Sequence, residues 1–394
     1  MDNIWSDNKY INLCINILLF LTGINFLHYG QLILPIICFL LFVDNKLQFK
    51  VNNPITFVVL CLFGISFYAF SYKLGFYSVM GFTCPMAYYI GSNMKHPNED
   101  NIKKIIYLFA IAMGCHVILN SIYEYIVHGH HGFFQSTTHY DFWTKEKISN
   151  TSTAINADFI LGCLYYLFFH EKNKRIKMLC LVVFAFSMFY LVVIGRRTPV
   201  LLALIAFVLS YLYEVTVLKK GSKLIKKWFF RVISIVFLYA ISFMIFYHLN
   251  LFNCQPFLNN YHIVIKFTRG FINDQRFSLY FGSFKLMPKY LWGGQHISTI
   301  LGEQVHDFWI DIYDYAGIVP CGFMIIYSVI FVKDLTRLYK SKIINDDLKI
   351  FMVGISSCII IQMFLEPVMT GASLYLLASI IIHGLFERLA LNEQ

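Results

Sequence analysis

One stretch of the chain, 276–317, concentrates side chains that could do chemistry. It reads RFSLYFGSFKLMPKYLWGGQ, a short spacer, then HDFWIDIYDYAG. Arg276 opens an amphipathic segment, Gly293 and Gly294 break it, and His306 stands at the mouth of an apolar helix. An imidazole near neutral pH can take a proton from a hydroxyl, so His306 is the first candidate for a general base. The plain alternative is a capping or interfacial histidine. Asp307, Asp311 and Asp314 follow i, i+4, i+7 spacing, which puts three carboxylates on one helical face. Such a face needs water, cations or arginine partners. Asp307 and Asp311 are the next candidates for the base.

Arginine supplies the complementary chemistry, because its planar fork grips phosphate in a bidentate way. Arg276 and Arg269 lie in the long segment before His306, with Lys266, Lys285 and Lys289 nearby. Lipid headgroups are the simpler partners for Lys285 and Lys289. Gly195-Arg196-Arg197-Thr198-Pro199 joins two apolar blocks. Arginines at membrane depth usually face a bundle interior or an aqueous cavity. Pro199 suits the first turn of a helix, whose free N–H groups also favour phosphate. The competing reading is a pair of snorkelling arginines at a hairpin. Arg196, Arg197, Arg269 and Arg276 are thus the anion-binding candidates. Glu366, just before Pro367 at the end of a block, could orient an arginine or an acceptor sugar, beside Gly293 and Gly294 as positioning residues. The run His128-Gly-His130-His131, with His139, could hold a transition metal, but only Asp141 offers carboxylate support. No metal is expected. There is no G-x-x-x-x-G-K-[ST], no H-E-x-x-H and no D-x-D in an outer loop, so no cofactor is expected either.

Helices in a bilayer must position these groups. Of the 394 residues, 58% are hydrophobic and 14% charged, against roughly a quarter charged in soluble domains. The apolar residues fall into blocks long enough to cross the hydrocarbon core. The expected fold is all-α and polytopic, a single membrane domain over 1–394. About twelve spans are expected, at 11–27, 30–43, 54–72, 75–91, 104–127, 152–170, 178–195, 198–218, 232–250, 307–332, 349–366 and 371–387. The blocks look nearly free of charge, and no inverted repeat is evident. If the N-terminus is cytoplasmic, 22 of the 32 Lys and Arg residues lie on that side, as the positive-inside bias requires. Both termini are then cytoplasmic. The net charge of +10 is therefore topological, and nucleic acid is excluded as a partner. Seven of the ten exceptions cluster in two outer segments: Arg196, Arg197, Lys266, Arg269, Arg276, Lys285 and Lys289. Positive charge outside suggests an anionic ligand there.

Two outer loops exceed hairpin length, 128–151 and 251–306, and loops of this length are usually either functional or disordered. In the second, Phe277, Phe281, Phe284 and Met287 or Pro288 follow a helical period, with Tyr280 beside them. This predicts a short amphipathic helix at the outer interface. Nearly all ten cysteines lie in apolar blocks, and Cys254 alone sits in an outer loop, so no disulfide is expected. The start, MDNIWSDNKY, lacks a charged n-region and a cleavage site, and reads as leading into a first span.

Taken together, GRRTPVLLALIAF, RFSLYFGSFKLMPKYLWGG and HDFWIDIYDYAGIVP resemble the O-antigen polymerase and O-antigen ligase superfamily of bacterial envelope glycosyltransferases. Their order and placement agree, and the layout covers nearly the whole chain. Asp307 stands where Asn is usual after the histidine, Pro320 replaces a small residue, and the glycines read W-G-G-Q. The resemblance implies a metal-independent, inverting transfer from an undecaprenyl-diphosphate-linked oligosaccharide at the periplasmic face of the inner membrane. It implies arginines as diphosphate ligands, His306 as base and a chain-length determinant protein as partner. The double arginine is more polymerase-like than the S-R-G form of ligases. A ligase, transferring polysaccharide to lipid A–core, is the alternative, and a polysaccharide flippase is the reading from another class.

Overall fold

A computed structural model describes residues 4–71, 81–135, 139–220, 223–251, 255 and 276–391. Arg269, Lys266, Cys254 and most of the outer loop before Arg276 lie outside the described residues. The chain is largely helical. Among the described residues seven helical stretches are long and apolar enough to cross a membrane: Glu99–Gly129, Asn150–Phe169, Lys174–Val193, Thr198–Val217, Ile318–Lys340, Asp346–Leu365 and Ser373–Ala390. Lys9–Gly23, Gly30–Asp44 and Pro54–Phe70 are shorter apolar helices. The apolar faces turned outward fit a lipid solvent. Ile55, Val58, Leu62 and Ile65 are exposed along one helix, and Val182, Phe186 and Phe189 along another. In water, continuous apolar surfaces of this kind would associate.

The elements in chain order are α1 (Lys9–Gly23), α2 (Leu34–Asp44), α3 (Pro54–Phe70), α4 (Thr83–Ser92), α5 (Glu99–Gln135), β1 (His139–Tyr140) and β2 (Lys147–Ile148). Then come α6 (Asn150–Ile155), α7 (Asp158–Gly162), α8 (Leu164–Phe169), α9 (Lys174–Val193), α10 (Thr198–Leu212) and α11 (Lys223–His248). The last are α12 (Arg276–Leu286), α13 (His296–Leu301), α14 (Phe308–Ala316), α15 (Ile318–Lys340), α16 (Asp346–Leu365), α17 (Val368–Gly371) and α18 (Ser373–Leu391). They form two compact units. The first comprises Met1–His116, Gln275–Lys349 and Ile359–Gln394; the second comprises Val117–Asp274 and Ile350–Cys358.

Three expected elements differ, each for a local reason. The block 307–332 is not one helix. It breaks at Gly317, whose backbone (φ 89°, ψ −171°) is open to glycine and hostile to other residues. The block 152–170 is three short helices, interrupted at Asn156 and Cys163. The loop 128–151 is partly ordered: α5 runs on to Gln135 across a kink at Gly129, and β1 pairs antiparallel with β2, His139 opposite Ile148. The other boundaries follow local signals. Asn53 caps α3 by accepting from the Ile55 and Thr56 amides, with Pro54 in the first turn. Asn173 caps α9 in the same way.

Glycines let several helices cross with their backbones in close contact. In the first unit α4 packs on α18 through Gly91 and Gly384. A Cβ on Gly91 would stand 2.1 Å from the Ile381 carbonyl oxygen, and one on Gly384 would stand 2.8 Å from that of Tyr88. In the second unit Gly162 of α7 meets Gly354 of α16, where an added Cβ would stand 2.1 Å from the Gly162 carbonyl oxygen. Small residues let helix backbones approach where lipid supplies no hydrophobic drive. Gly91→Ala is therefore expected to cost about 1–3 kcal/mol through overpacking. Its thermal midpoint in detergent should fall by several degrees. Gly322→Ala, with nothing within 4 Å of its new methyl, should leave the midpoint unchanged or raise it slightly. Equal midpoints for the two variants would refute the glycine crossing.

Candidate active site

The first unit brings three of the expected residues together. Pro367 disfavours helical backbone at the residue before it. Glu366 therefore leaves α16 extended (φ −145°, ψ 153°), and its side chain turns away from the helix end. Arg276 opens α12 and reaches this carboxylate: its NH2 lies 3.2 Å from Glu366 Oε1, and its NH1 donates to the Leu365 carbonyl at 3.3 Å. His306 arrives from the other side, its Nδ1 at 2.8 Å from Glu366 Oε2. Each carboxylate oxygen thus meets one cationic or potentially cationic partner. The Glu366 side chain is 3% exposed, whereas Arg276 and His306 are 24% and 29% exposed. The anion is sealed in and the two nitrogen-bearing groups open outward.

Tyr280, which sequence reasoning noted only as a neighbour of the aromatic stripe, holds the frame. One turn after Arg276 on α12, it donates its hydroxyl to the carbonyls of His306 and, at 2.8 Å, Phe364. It ties α12 to the segment leading into α14 and to the end of α16. Phe281 and Phe284 on the same helix are exposed, as an interfacial amphipathic helix requires.

The three carboxylates of α14 do not converge on a common ligand. Asp307 is the N-cap, accepting from the Ile310 amide at 2.9 Å. Asp311 is buried, taking the Thr370 amide at 3.1 Å, the Thr370 hydroxyl at 2.9 Å and the Gln304 amide nitrogen at 3.0 Å. Asp314 receives the Ile297 and Ser298 amides at the start of α13, at 2.8 and 3.2 Å. Gln304 and Thr370 carried no signal in the sequence.

Gly293 and Gly294 have a packing role. Both have positive φ, and the first lies so close to the Ala316–Gly317 backbone that a Cβ would stand 2.7 Å from the Gly317 nitrogen. The turn is clamped by the Ile318 amide donating to the Leu291 carbonyl at 2.9 Å. It fixes the α14–α15 break, and through it the direction of α14 behind His306.

Arg196 and Arg197 belong to the second unit, at the junction of α9 and α10 where the sequence puts them. Gly195 (φ 70°) turns the chain, and the Arg196 guanidinium donates to the Thr151 hydroxyl. Pro199 lies in the first turn of α10. In the histidine-rich segment, Asp141 is a turn former that accepts from the Trp143 and Thr144 amides at 2.9 and 3.0 Å. Glu124, which sequence reasoning missed, is a partner of His128 and His139. His128 Nε2 is 3.2 Å and His139 Nδ1 3.7 Å from its carboxylate.

The blocks are also less bare than their composition suggests. Glu124, Asp158, Glu214, Asp334 and Glu387 are buried within helical segments. A single ionisable residue barely moves the mean hydropathy of a 20-residue window, which is why the count overlooked them. No protein-family model matches the chain, and no curated protein sequence matches it.

Burial pushes the Asp311 carboxyl up to about 6, with the Gln304 and Thr370 hydrogen bonds pulling the other way. Burial pushes Asp307 to about 6 as well, against the helix-cap hydrogen bonds. Both lie above the ordinary value of 3.8. The folded state therefore holds these protons more tightly than the unfolded chain. Their contribution to stability is fully present below 3.8 and is lost as pH rises through 6. Asp311→Asn should lower the thermal midpoint overall, since Asn cannot accept every hydrogen bond. It should also flatten the midpoint's fall across that interval. An unchanged slope would count against a buried titrating Asp311.

Proposed function

We propose that this chain is a membrane glycosyltransferase of the bacterial envelope. It polymerises undecaprenyl-diphosphate-linked oligosaccharide repeat units into O-antigen or capsular polysaccharide. In this proposal the chain spans the inner membrane about twelve times, with both termini cytoplasmic and the site facing the periplasm. A chain-length determinant protein is its partner. The observation that carries the proposal is the buried Glu366 carboxylate shared by Arg276 and His306.

The chemistry follows from that geometry. Glu366 occupies His306 Nδ1, which leaves Nε2 to accept the proton of an acceptor hydroxyl. The acceptor oxygen forms its bond to the anomeric carbon from the face opposite the diphosphate. The bond between that carbon and the diphosphate oxygen breaks, and the configuration inverts. The proton rests on His306, where Glu366 stabilises the imidazolium. The diphosphate leaves with its charge met by Arg276. Its guanidinium is oriented by donating to the Leu365 carbonyl and the Glu366 carboxylate, and its positive charge is what meets the departing phosphate oxygens. Arg196, Arg197 and Arg269 are further diphosphate ligands on the grounds of residue type and placement against the positive-inside bias.

The ligase alternative uses the same chemistry with a different acceptor. A transporter of lipid-linked saccharide is a second reading, favoured by the buried ionisable residues Glu124, Glu214, Asp334 and Glu387. Scrambling of lipid-linked oligosaccharide by purified protein in liposomes, with no polymer formed, would establish transport and overturn the enzyme.

The test is chain length in a deletion strain complemented with Arg197→Ala, Arg276→Ala or His306→Ala. Loss of the general base is expected to slow polymerisation by about 100- to 10,000-fold at retained protein level. Loss of an arginine should leave mostly single repeats. Normal chain length from all three variants would overturn the site assignment. In the deletion strain, lipopolysaccharide carrying one repeat identifies a polymerase, and an intact core bare of O-antigen identifies a ligase.

A further inference from the structure

Away from Glu366, the first unit holds a second polar cluster, where α15 and α18 meet. His383 is fully buried, and Asp334 and Glu387 are nearly so. His383 Nε2 lies 3.2 Å from Asp334 Oδ2 and 3.5 Å from Glu387 Oε1. One ligand atom from each of the three side chains falls within 4.8 Å of the other two. Among the described residues this is the only such group of three.

The imidazole has one Nε2 position and faces two carboxylates with it. The Arg337 guanidinium offsets part of the Asp334 charge from the rim, and the remaining negative charge in this apolar setting is balanced either by a proton shared between the two carboxyl groups or by a bound cation. Donor atoms about 2.0–2.2 Å from a tetrahedral zinc ion lie about 3.3–3.6 Å from one another, close to the 3.2 and 3.5 Å that separate His383 Nε2 from the two carboxylates. The outer atoms are held as ligands' outer atoms usually are. His383 Nδ1 meets the Tyr327 hydroxyl at 3.2 Å. Arg337 NH1 is 3.4 Å from Asp334 Oδ1. Tyr88 donates its hydroxyl to Glu387 Oε2, the oxygen outside the cluster, while the ligand oxygen Oε1 also accepts from Thr56 at 3.1 Å and Asn53 at 3.3 Å. Arg337 is largely exposed, so a route from solvent reaches Asp334 at the rim of the cluster.

We propose that Asp334, His383 and Glu387 form a structural site for a divalent first-row transition ion, with one nitrogen and two oxygen ligands. That donor set suits Zn²⁺ or Mn²⁺ and disfavours Cu(I), which prefers sulfur. A dication balances the two carboxylates, the imidazole stays neutral, and the ion pins α15 to α18. The site is separate from His306 and takes no part in the proposed transfer.

The test measures metal directly, independently of any polymerase activity. Full-length protein purified in detergent is analysed for Zn and Mn by inductively coupled plasma mass spectrometry, before and after chelation. About one equivalent per chain is expected, with a lower thermal midpoint after chelation that is restored by adding Zn²⁺. Tyr327→Phe removes only an outer partner and should weaken Zn²⁺ binding by about 10- to 100-fold. His383→Gln and Asp334→Asn should abolish retention of the ion. Should those variants fail to fold, the wild-type metal content and the chelation–reloading cycle decide the matter alone. Substoichiometric metal in wild-type protein, with a midpoint indifferent to chelator and added Zn²⁺, would overturn the proposal and leave a proton shared by the carboxylates. Stoichiometric metal retained by His383→Gln would place the ion elsewhere and overturn it equally.

Discussion

A carboxylate withdrawn from water must find positive charge or proton donors nearby, and Glu366 shows how much structure this demands. Three segments distant in sequence have to arrive together to satisfy it. α12 supplies Arg276, the entrance to α14 supplies His306, and Pro367 turns Glu366 itself off the end of α16. Taking the carboxylate away would leave two nitrogen-bearing groups with no anion between them. The Tyr280 bridge, the Gly293–Gly294 turn and the break at Gly317 all keep those three segments in register.

The same rule operates elsewhere in each unit. Glu214 in the second unit accepts from the Tyr165 hydroxyl at 2.7 Å and meets His170 Nε2 at 2.9 Å. Glu124 meets His128 and the Tyr140 amide. These pairings leave the helices little freedom to rotate about their axes, because rotation would strand a charge. The glycine crossings work on a different coordinate. They set how near two helices stand, while the ion pairs set which faces meet. At α4 and α18 both act at once. The Gly91–Gly384 approach brings the Tyr88 hydroxyl within reach of Glu387.

Much of the site was legible residue by residue, and little of it as a set. Arg276, His306 and Glu366 each stood out in the sequence, because a charged group at the edge of an apolar block is conspicuous. Their pairing did not, since 60 and 90 residues separate Glu366 from its partners and no local period reaches that far. The helical face at 307, 311 and 314 was a correct spacing with the wrong consequence. A cap, a threonine and the start of α13 claim the three carboxylates separately. Gln304 and Thr370 carried no signal, because an amide and a hydroxyl become informative only once a buried acceptor faces them. In the fold, helix boundaries marked by Asn caps and Pro were readable. The breaks at Gly317 and within 150–169 were not. Hydropathy averages over a window, whereas a break is decided by one backbone angle.

Charge balance separates the two polar clusters of the first unit and suggests what each is for. At Glu366 one carboxylate serves two partners, so an excess of positive charge develops once His306 holds a proton. That excess faces outward through the two partly exposed side chains. The stoichiometry suits an anion that arrives, reacts and departs. Around His383 the ratio is inverted, two carboxylates to one imidazole, and all three side chains are buried, with the Arg337 guanidinium beside Asp334 at the solvent rim. A buried excess of negative charge suits a small cation that stays. The exposure pattern and the sign of the imbalance thus agree at both places. An open cluster with surplus positive charge fits turnover of a diphosphate, and a closed one with surplus negative charge fits a permanent fastening between two helices.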